Sequence, residues 1–490
     1  MNTPNASLSA PLLAYPPLER IMPQPNSRAT PREILLTDPA QEIIWARLPQ
    51  ATATEVKTTV KRAVNFFTEQ AKNGPSYDRL ALLERLIAEI TARQDAFASA
   101  ISREMGAPLE FARSKQVEAA LAHLRVIRQA AETPSSQPLT SDPAHMIRYE
   151  PLGVAALITP WNWPLNQIAL KAGAALVAGC AMIHKPSELS LPSALLLAEC
   201  FEAAGAPTGL YQLLLGDGEV GAELVAYAGR GVDVISFTGS TPIGRQIAAI
   251  AGQALIPCHL ELGGKSPNIL FEDCDLALAI RQGLAHCYRN SGQSCNAASR
   301  MLVAEEIYDQ AVELARVEAE TYRFGAPNTP GDHLGPLVSA AQYDRVQSHI
   351  ARAIDQGARL ITGGLGRADG FAQGYYPRPT VFADVTPDMD LFTQEVFGPV
   401  LAMTPFTDEA QAIALANTGP YGLAGYIQSA NPDRLARVSA QLEVGMVQIN
   451  GNSREDGAPF GGRKASGFGR EAGLWGIRSF QAVKSVSGLL

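Results

Sequence analysis

The chain has 490 residues, long enough for several separate cores, and its content of 46% apolar and 18% charged residues excludes a disordered or fibrous protein. Forty Lys and Arg against 48 Asp and Glu leave a net charge of −8 with no basic block, which argues against nucleic-acid and anionic-membrane partners. The six cysteines form no CxxC pair and no Cys/His cluster with zinc spacing, so no metal site is expected. The longest charge-free apolar runs, such as Ala172 to Ile183, are too short for a membrane span. With no signal or transit pattern in the first thirty residues, which read as an extended arm, the expected location is cytoplasmic.

From about residue 52 the pattern turns helical. Thr52-x-x-Glu55 reads as a capping box, and Val56, Val60, Val64 and Phe67 follow on one stripe. A second helix starts near Asp78 with Leu80, Leu83, Ile87 and Ile90, and a third is predicted near 108–132. After a Pro/Ser-rich connector, TPSSQPLTSDP (133–143), short apolar runs alternate with helical stretches. The runs are GVAALI (153–158), AMIH (181–184), YQLLL (211–215) and VDVISF (232–237), with helices near 165–178, 191–204 and 219–228. Continuous apolar strands with helices between them imply a parallel sheet covered on both faces, with ligands at the carboxyl ends of its strands. A second series from about 264 to 466 has strand candidates NILF (268–271), MLVA (301–304), PVLAMTPF (399–406), AGYIQS (424–429) and MVQIN (446–450). The last run, RSFQAVKSVS (478–487), is too isolated to be stable alone and must pair with another element or another subunit.

Cys295 stands apart in NSGQSCNAASR (290–300), an isolated thiol among small polar residues. A lone cysteine is most often a small buried hydrophobe. Here the small neighbours leave room for a substrate to approach the sulfur, and nearby backbone N–H groups can favour the thiolate.

That stretch is one of seven. With ITPWNWP (158–164), HKPSE (184–188), FTGSTPIG (237–244), ELGGKSP (261–267), EVFGPV (395–400) and APFGGRKASGFGRE (458–471), it closely resembles the NAD(P)-dependent aldehyde dehydrogenase family, in the right order from about residue 35 onward. The resemblance implies an α/β fold of that type, with two doubly wound parallel-sheet domains and a small β oligomerisation element. Residues 1–132 and 152–263 are then the dinucleotide-binding domain, 264–466 the catalytic domain, and 133–151 with 467–490 the oligomerisation element of a homodimer or homotetramer.

The same resemblance assigns roles. Cys295 matches the nucleophile, Asn162 the side-chain donor to the oxyanion, with the Cys295 N–H as second donor, and Glu261 the base that activates water against the thioester. Because relatives that pass the acyl group to coenzyme A generally lack this glutamate, Glu261 points to hydrolysis. Lys171 and Glu471 match positions assigned to proton relay or site support. For the cofactor, FTGSTPIG offers Phe237, Thr238, Gly239 and Ser240 at a turn whose following helix can hold a pyrophosphate. Thr159, Trp161, Ser187, Gly218 and Leu262 belong to the same cofactor set. Lys185 and Glu188 fall at the adenosine ribose, where a glutamate accepts from both hydroxyls but repels a 2′-phosphate, so NAD is expected over NADP. Glu395 falls at the nicotinamide ribose and Phe397 near the ring.

Trp163, Gln167, Leu170, Ser294, Ser453, Arg454 and Phe460 are expected to line the substrate tunnel. Arg454 stands where relatives often have aromatics, which suggests attraction of a carboxylate-bearing semialdehyde; the alternative is an Arg-Glu-Asp loop that neutralises itself. Gln394, in place of an acid, and His184, in place of an aliphatic residue, depart from the family without touching the core chemistry, and the seven histidines read as structural. Two rival functions remain: a cysteine esterase or thioesterase, and a non-catalytic protein that kept the fold.

Overall fold

The structure is a computed structural model that describes residues 32–139 and 144–488. The N-terminal arm and the 140–143 part of the connector lie outside the described residues.

Thr52 and Glu55 form the expected reciprocal cap at the start of the Ala53–Asn73 helix. Its buried face is wider than the predicted stripe: Ala63 and Phe66 join Val56 and Val60 in the core, and Val64 and Phe67 are half-buried beside them. Arg79–Ala92 buries Leu82, Leu83, Leu86 and Ile90. A helix at Gln94–Met105 was not expected; five of its twelve residues are Ala or Ser, so its apolar period is weak. The third predicted helix is interrupted, because Ala112–Val117 winds as a π-helix before Glu118–Ala130 resumes the α geometry.

Ala53–Asn73 packs on a six-stranded sheet, whereas Arg79–Ala92, Gln94–Met105 and Glu118–Ala130 pack on the helices Pro164–Ala178 and Leu191–Ala203. The sheet is ordered Gly467–Phe468, Cys258–Glu261, Val234–Thr238, Val154–Thr159, Ala181–Pro186 and Tyr211–Leu213. All but the first run parallel. The chain therefore reverses its direction of progress across the sheet between Val154–Thr159 and Val234–Thr238, and a crevice opens at their carboxyl ends.

The second sheet has seven strands, ordered Arg359–Thr362, Thr380–Ala383, Val400–Phe406, Arg300–Ala304, Pro267–Leu270, Ala424–Gln428 and Met446–Ile449, with only the first antiparallel. Alternation along its strands fills two cores. Ile269, Leu302, Phe382 and Ala402 face one helical layer, whereas Leu270, Met301, Val381 and Leu401 face the other. Gln481–Ser487 pairs antiparallel with His145–Pro151, which also pairs with Ser136–Pro138, so the isolated last run finds its partner within the chain. No helix among the described residues is long and apolar enough to cross a membrane.

Candidate active site

The crevice between the two central strands is bounded by the loops at their carboxyl ends. After Val154–Thr159 come Trp161, Asn162 and Trp163; after Val234–Thr238 come Gly239 and Ser240. The second sheet closes over this edge with the loops that precede its strands. The Cys295 loop leads into Arg300–Ala304, and the Glu395–Phe397 loop leads into Val400–Phe406.

The Cys295 loop is held in a high-energy backbone. Asn290 and Ser291 have φ of 55° and 56°, a left-handed pair that non-glycine residues seldom adopt, and Gly292 follows at 77°. A Cβ at Gly292 would lie 2.2 Å from the Gly398 carbonyl carbon, so only glycine lets the two loops meet. Side chains supply the restraint. Asn290 Nδ2 donates to Asn162 O at 2.8 Å and Gln293 O at 3.3 Å, and its Oδ1 accepts from Gln116 Nε2 at 3.2 Å. Gln293 Oε1 accepts from Val338 N at 3.0 Å, and Ser291 Oγ donates to Gly335 O at 2.6 Å. Asn290 and Gln293 belong to the NSGQSCNAASR motif, which by itself assigns them no role, and nothing in the sequence marks Gln116.

Asn162 joins this network directly. Its Nδ2 donates one proton to Gln293 O at 3.0 Å, which fixes the amide two residues from Cys295 and leaves its second N–H for another acceptor. Glu261 approaches from the end of Cys258–Glu261. A Cβ at Gly264, three residues on, would meet Cys295 O at 2.3 Å, and one at Gly461 would meet Glu261 Oε1 at 2.5 Å. The sulfur, the amide and the carboxyl thus belong to segments in mutual contact.

Electrostatics divides the roles. Burial and the Glu395 and Glu261 carboxyls push the Cys295 thiol above its ordinary range, while the N–H groups of Cys295 and Asn296 pull it down. Glu261 is 3% exposed, neither of its oxygens has a hydrogen-bond partner among the described residues, and burial holds its carboxyl well above the usual range, with Glu471 adding and Lys171 opposing. An unpaired buried carboxyl with raised proton affinity is suited to general-base work. Lys171 forms an ion pair with Glu471 and donates to Ser236 Oγ at 3.0 Å.

On the Val234–Thr238 side of the crevice, a helix N-terminus and a buried lysine could hold an anionic ligand. Ser240 occupies the N-cap of Thr241–Ala254 without making a capping bond, so its hydroxyl and the first helical N–H groups stay available. Thr238 Oγ1 is buried without a hydrogen-bond partner among the described residues. Lys185 is 4% exposed; burial lowers its proton affinity, and Glu188 and Asp217 oppose that shift. Ser187 Oγ donates to Glu188 at 3.3 Å and caps Leu189 N, Gly218 opens a helix capped by Asp217, and Thr159 O accepts from Ser187 N at 2.9 Å. Phe237 and Leu262 are core side chains, packed over Gly239 and Gly244. Glu395 Oε1 accepts from Gly264 N at 3.0 Å, and its carboxyl is pushed up to about 7 by burial. Phe397, at φ 59°, meets the Trp161 ring edge-on at 5.5 Å.

On the other side of the thiol, Trp163 Nε1 donates to Ser294 Oγ at 2.9 Å and its ring lies 5.7 Å from that of Phe111. Phe460 and Cys295 pack on one apolar cluster of Ala298, Leu423, Ala424, Tyr426 and Met446. Phe460 also exchanges both backbone hydrogen bonds with Glu471. Gln167 and Leu170 are buried on the helix that carries Lys171, Ser453 is exposed, and Arg454 lies over the Phe460 ring at 5.4 Å.

The model of the aldehyde dehydrogenase family matches residues 26–486. A Pseudomonas sp. protein named 3-succinoylsemialdehyde-pyridine dehydrogenase is 41% identical over 93% of this chain and 95% of its own length. Among solved structures, an aldehyde dehydrogenase from Bartonella henselae is 42% identical, with TM-score 0.91 over 94% of this chain and 97% of its own. A cysteine-to-alanine mutant of aldehyde dehydrogenase C from Pseudomonas syringae, solved with NAD+ and octanal, is 39% identical, with TM-score 0.90 over 94% of each chain. The motifs, the two sheets and these likenesses agree along the whole matched length: the chain belongs to the aldehyde dehydrogenase family.

Proposed function

We propose that the protein oxidises an aldehyde to a carboxylic acid with NAD as hydride acceptor, through a cysteine-bound thioester that water hydrolyses. The observation that carries this reading is the contact of three segments: the Cys295 loop, the Asn162 amide bonded into it, and the Gly263–Gly264 turn that follows Glu261. The complex of a relative with NAD+ and octanal supports both the cofactor and the substrate class.

The Cys295 thiol gives its proton to solvent water, its sulfur adds to the carbonyl carbon, and the new alkoxide meets the free N–H of Asn162 and the amide of Cys295. One such donor, placed where charge develops, contributes about 3 kcal/mol. Ser240, Lys185, Glu188 and Glu395 would hold the dinucleotide, which when bound would supply the acceptor for the hydride released, with its electron pair, from the former aldehyde carbon. Carbonyl re-formation leaves the acyl group on Cys295 sulfur. Glu261 then takes a proton from water, the hydroxyl oxygen bonds to the acyl carbon, and the carbon–sulfur bond breaks to give the acid and the thiolate. Lys171 and Glu471 set the charge around Glu261. Glu188 favours NAD over NADP by repelling a 2′-phosphate.

By the same reading, the described parts of 1–132 and 152–263, joined by the returning strand Gly467–Phe468, form the dinucleotide-binding domain and 264–466 the catalytic domain. The described parts of 133–151 and of the chain beyond Gly467–Phe468, which meet in the three-stranded sheet of Gln481–Ser487, His145–Pro151 and Ser136–Pro138, form the element through which copies associate as a dimer or tetramer in the cytoplasm. Val483, 67% exposed on an edge strand, supports pairing there.

The test is rapid mixing with NAD and an aldehyde. Wild type should reduce the dinucleotide continuously, Cys295→Ala not at all. Glu261→Gln should give one equivalent of NADH as a burst, then turn over about 100-fold more slowly or less. A Glu261→Gln protein with unchanged steady-state turnover removes the base assignment; NADH formation by Cys295→Ala removes the mechanism.

A further inference from the structure

The loop after Met446–Ile449 carries a cation without a counter-ion. Arg454 forms no ion pair among the described residues; its guanidinium donates to Ala458 O and, at 3.4 Å, to Glu455 O. Burial weakens its hold on the proton and Asp456 opposes that from beyond salt-bridge reach, so the Arg-Glu-Asp loop does not neutralise itself by contact. A partly desolvated, unpaired charge is costly in the free protein, and an incoming anion relieves that cost.

A second group faces the same need. His123, on Glu118–Ala130, is 6% exposed, and its Nδ1 is cut off from solvent with no hydrogen-bond partner among the described residues. The loop lies directly on this helix: a Cβ at Gly457 would come within 2.4 Å of Val126 Cγ1, three residues beyond His123. Burial and the Arg454 charge hold the imidazole down to about 4, so near neutral pH it is uncharged, with one N–H to give. His123 lies within reach of the Arg454 charge, and Arg454 stands close to the reaction. Arg454 lies over Phe460, and Phe460 shares its apolar cluster with Cys295.

We propose that Arg454 and His123 form the far end of the substrate passage and select aldehydes whose distal end carries a carboxylate, with Phe460 packing against the spacer between the two ends. The inference rests on the aldehyde-oxidising reading of Cys295. An Arg–carboxylate pair supplies charge-assisted hydrogen bonds that a neutral end group of the same length cannot match.

The experiment compares 4-oxobutanoate with its methyl ester, which keeps the spacer and removes the charge. Wild type is expected to show a kcat/KM for the acid about tenfold or more above that for the ester. The preference should shrink as ionic strength rises. Arg454→Gln should bring the ratio near one, through KM for the acid, and Arg454→Lys should keep part of it. His123→Gln, which retains a donor, should lose less of the ratio than His123→Leu, with thermal unfolding reporting that each variant is folded. Equal kcat/KM for acid and ester in wild type overturns the proposal, as does a ratio that Arg454→Gln leaves unchanged. Failure of wild type to reduce NAD with either compound or with propanal overturns instead the dehydrogenase reading on which it stands.

Discussion

Asn290 does two jobs that few other residues could combine. It accepts a left-handed backbone, which asparagine tolerates better than most side chains, and it spends its amide on Asn162 O, Gln293 O and Gln116 Nε2. Asn290→Ala loses these bonds and adds left-handed strain, and we expect a loss of about 2–4 kcal/mol of stability. Because the same bonds fix Asn162 relative to Cys295, kcat/KM for the aldehyde should fall by about 10–100-fold in protein that is still folded. Asn290→Asp, which keeps the backbone tolerance but loses the donors, should fall between. If denaturant unfolding shows the loss while kcat/KM per folded molecule stays at wild-type level, the bracing role is wrong. His184 teaches a related lesson from a fully buried position. It bridges Thr159 Oγ1 at 2.9 Å and Tyr211 OH at 2.7 Å, so this departure from the family, read as structural, ties three neighbouring strands together.

Between elements, the clearest case is a helix start capped from elsewhere. Ser190 precedes Leu191–Ala203 without capping it, and Glu104 from Gln94–Met105 accepts instead from Ser193 N at 3.0 Å and Ser193 Oγ at 2.5 Å. Burial pushes the Glu104 carboxyl from 4.5 up to about 8, although the Ser193 donors pull it down. In the unfolded chain this carboxyl ionises near 4.5, so between there and about 8 the folded state holds a proton that the unfolded state has released. Stability must therefore decline through that window and level off above it. Glu104→Gln should flatten this slope in melting temperature against pH, its midpoint lying nearest the wild type's at the acid end; an unchanged slope removes the argument. Elements with strong periods were legible in the sequence: the runs at 153–158, 181–184, 301–304 and 399–406 all became strands because burial on both faces demands continuous apolar residues. Cys258–Glu261 was not legible, since two of its four residues, His259 and Glu261, are polar. The motifs exposed Cys295, Asn162 and Glu261, but no local pattern announces a partner such as Gln116, 174 residues from Asn290.

At the scale of the molecule, the site exists only because the chain returns to its first sheet. After completing the second sheet it runs back as Gly467–Phe468, pairs Gly467 with Glu261, and sets Glu471 against Lys171, 300 residues earlier. Lys171 is 1% exposed and Glu471 6%, so removing either partner strands the other charge out of water. Lys171→Met should cost about 3–5 kcal/mol, whereas Lys171→Met with Glu471→Leu should recover most of that, because an apolar pair can replace a buried ion pair with little loss. The functional consequence runs separately from stability. Lys171 lowers the proton affinity of Glu261 and Glu471 raises it, so Lys171→Met alone should move the pH-dependent rise of thioester hydrolysis to higher pH. The double variant lacks both influences and should lie closer to wild type. Pre-steady-state hydrolysis rates measured against pH on the two variants decide the matter. A Lys171→Met profile that coincides with wild type would mean that the ion pair only holds the returning chain in place and has no part in tuning the base.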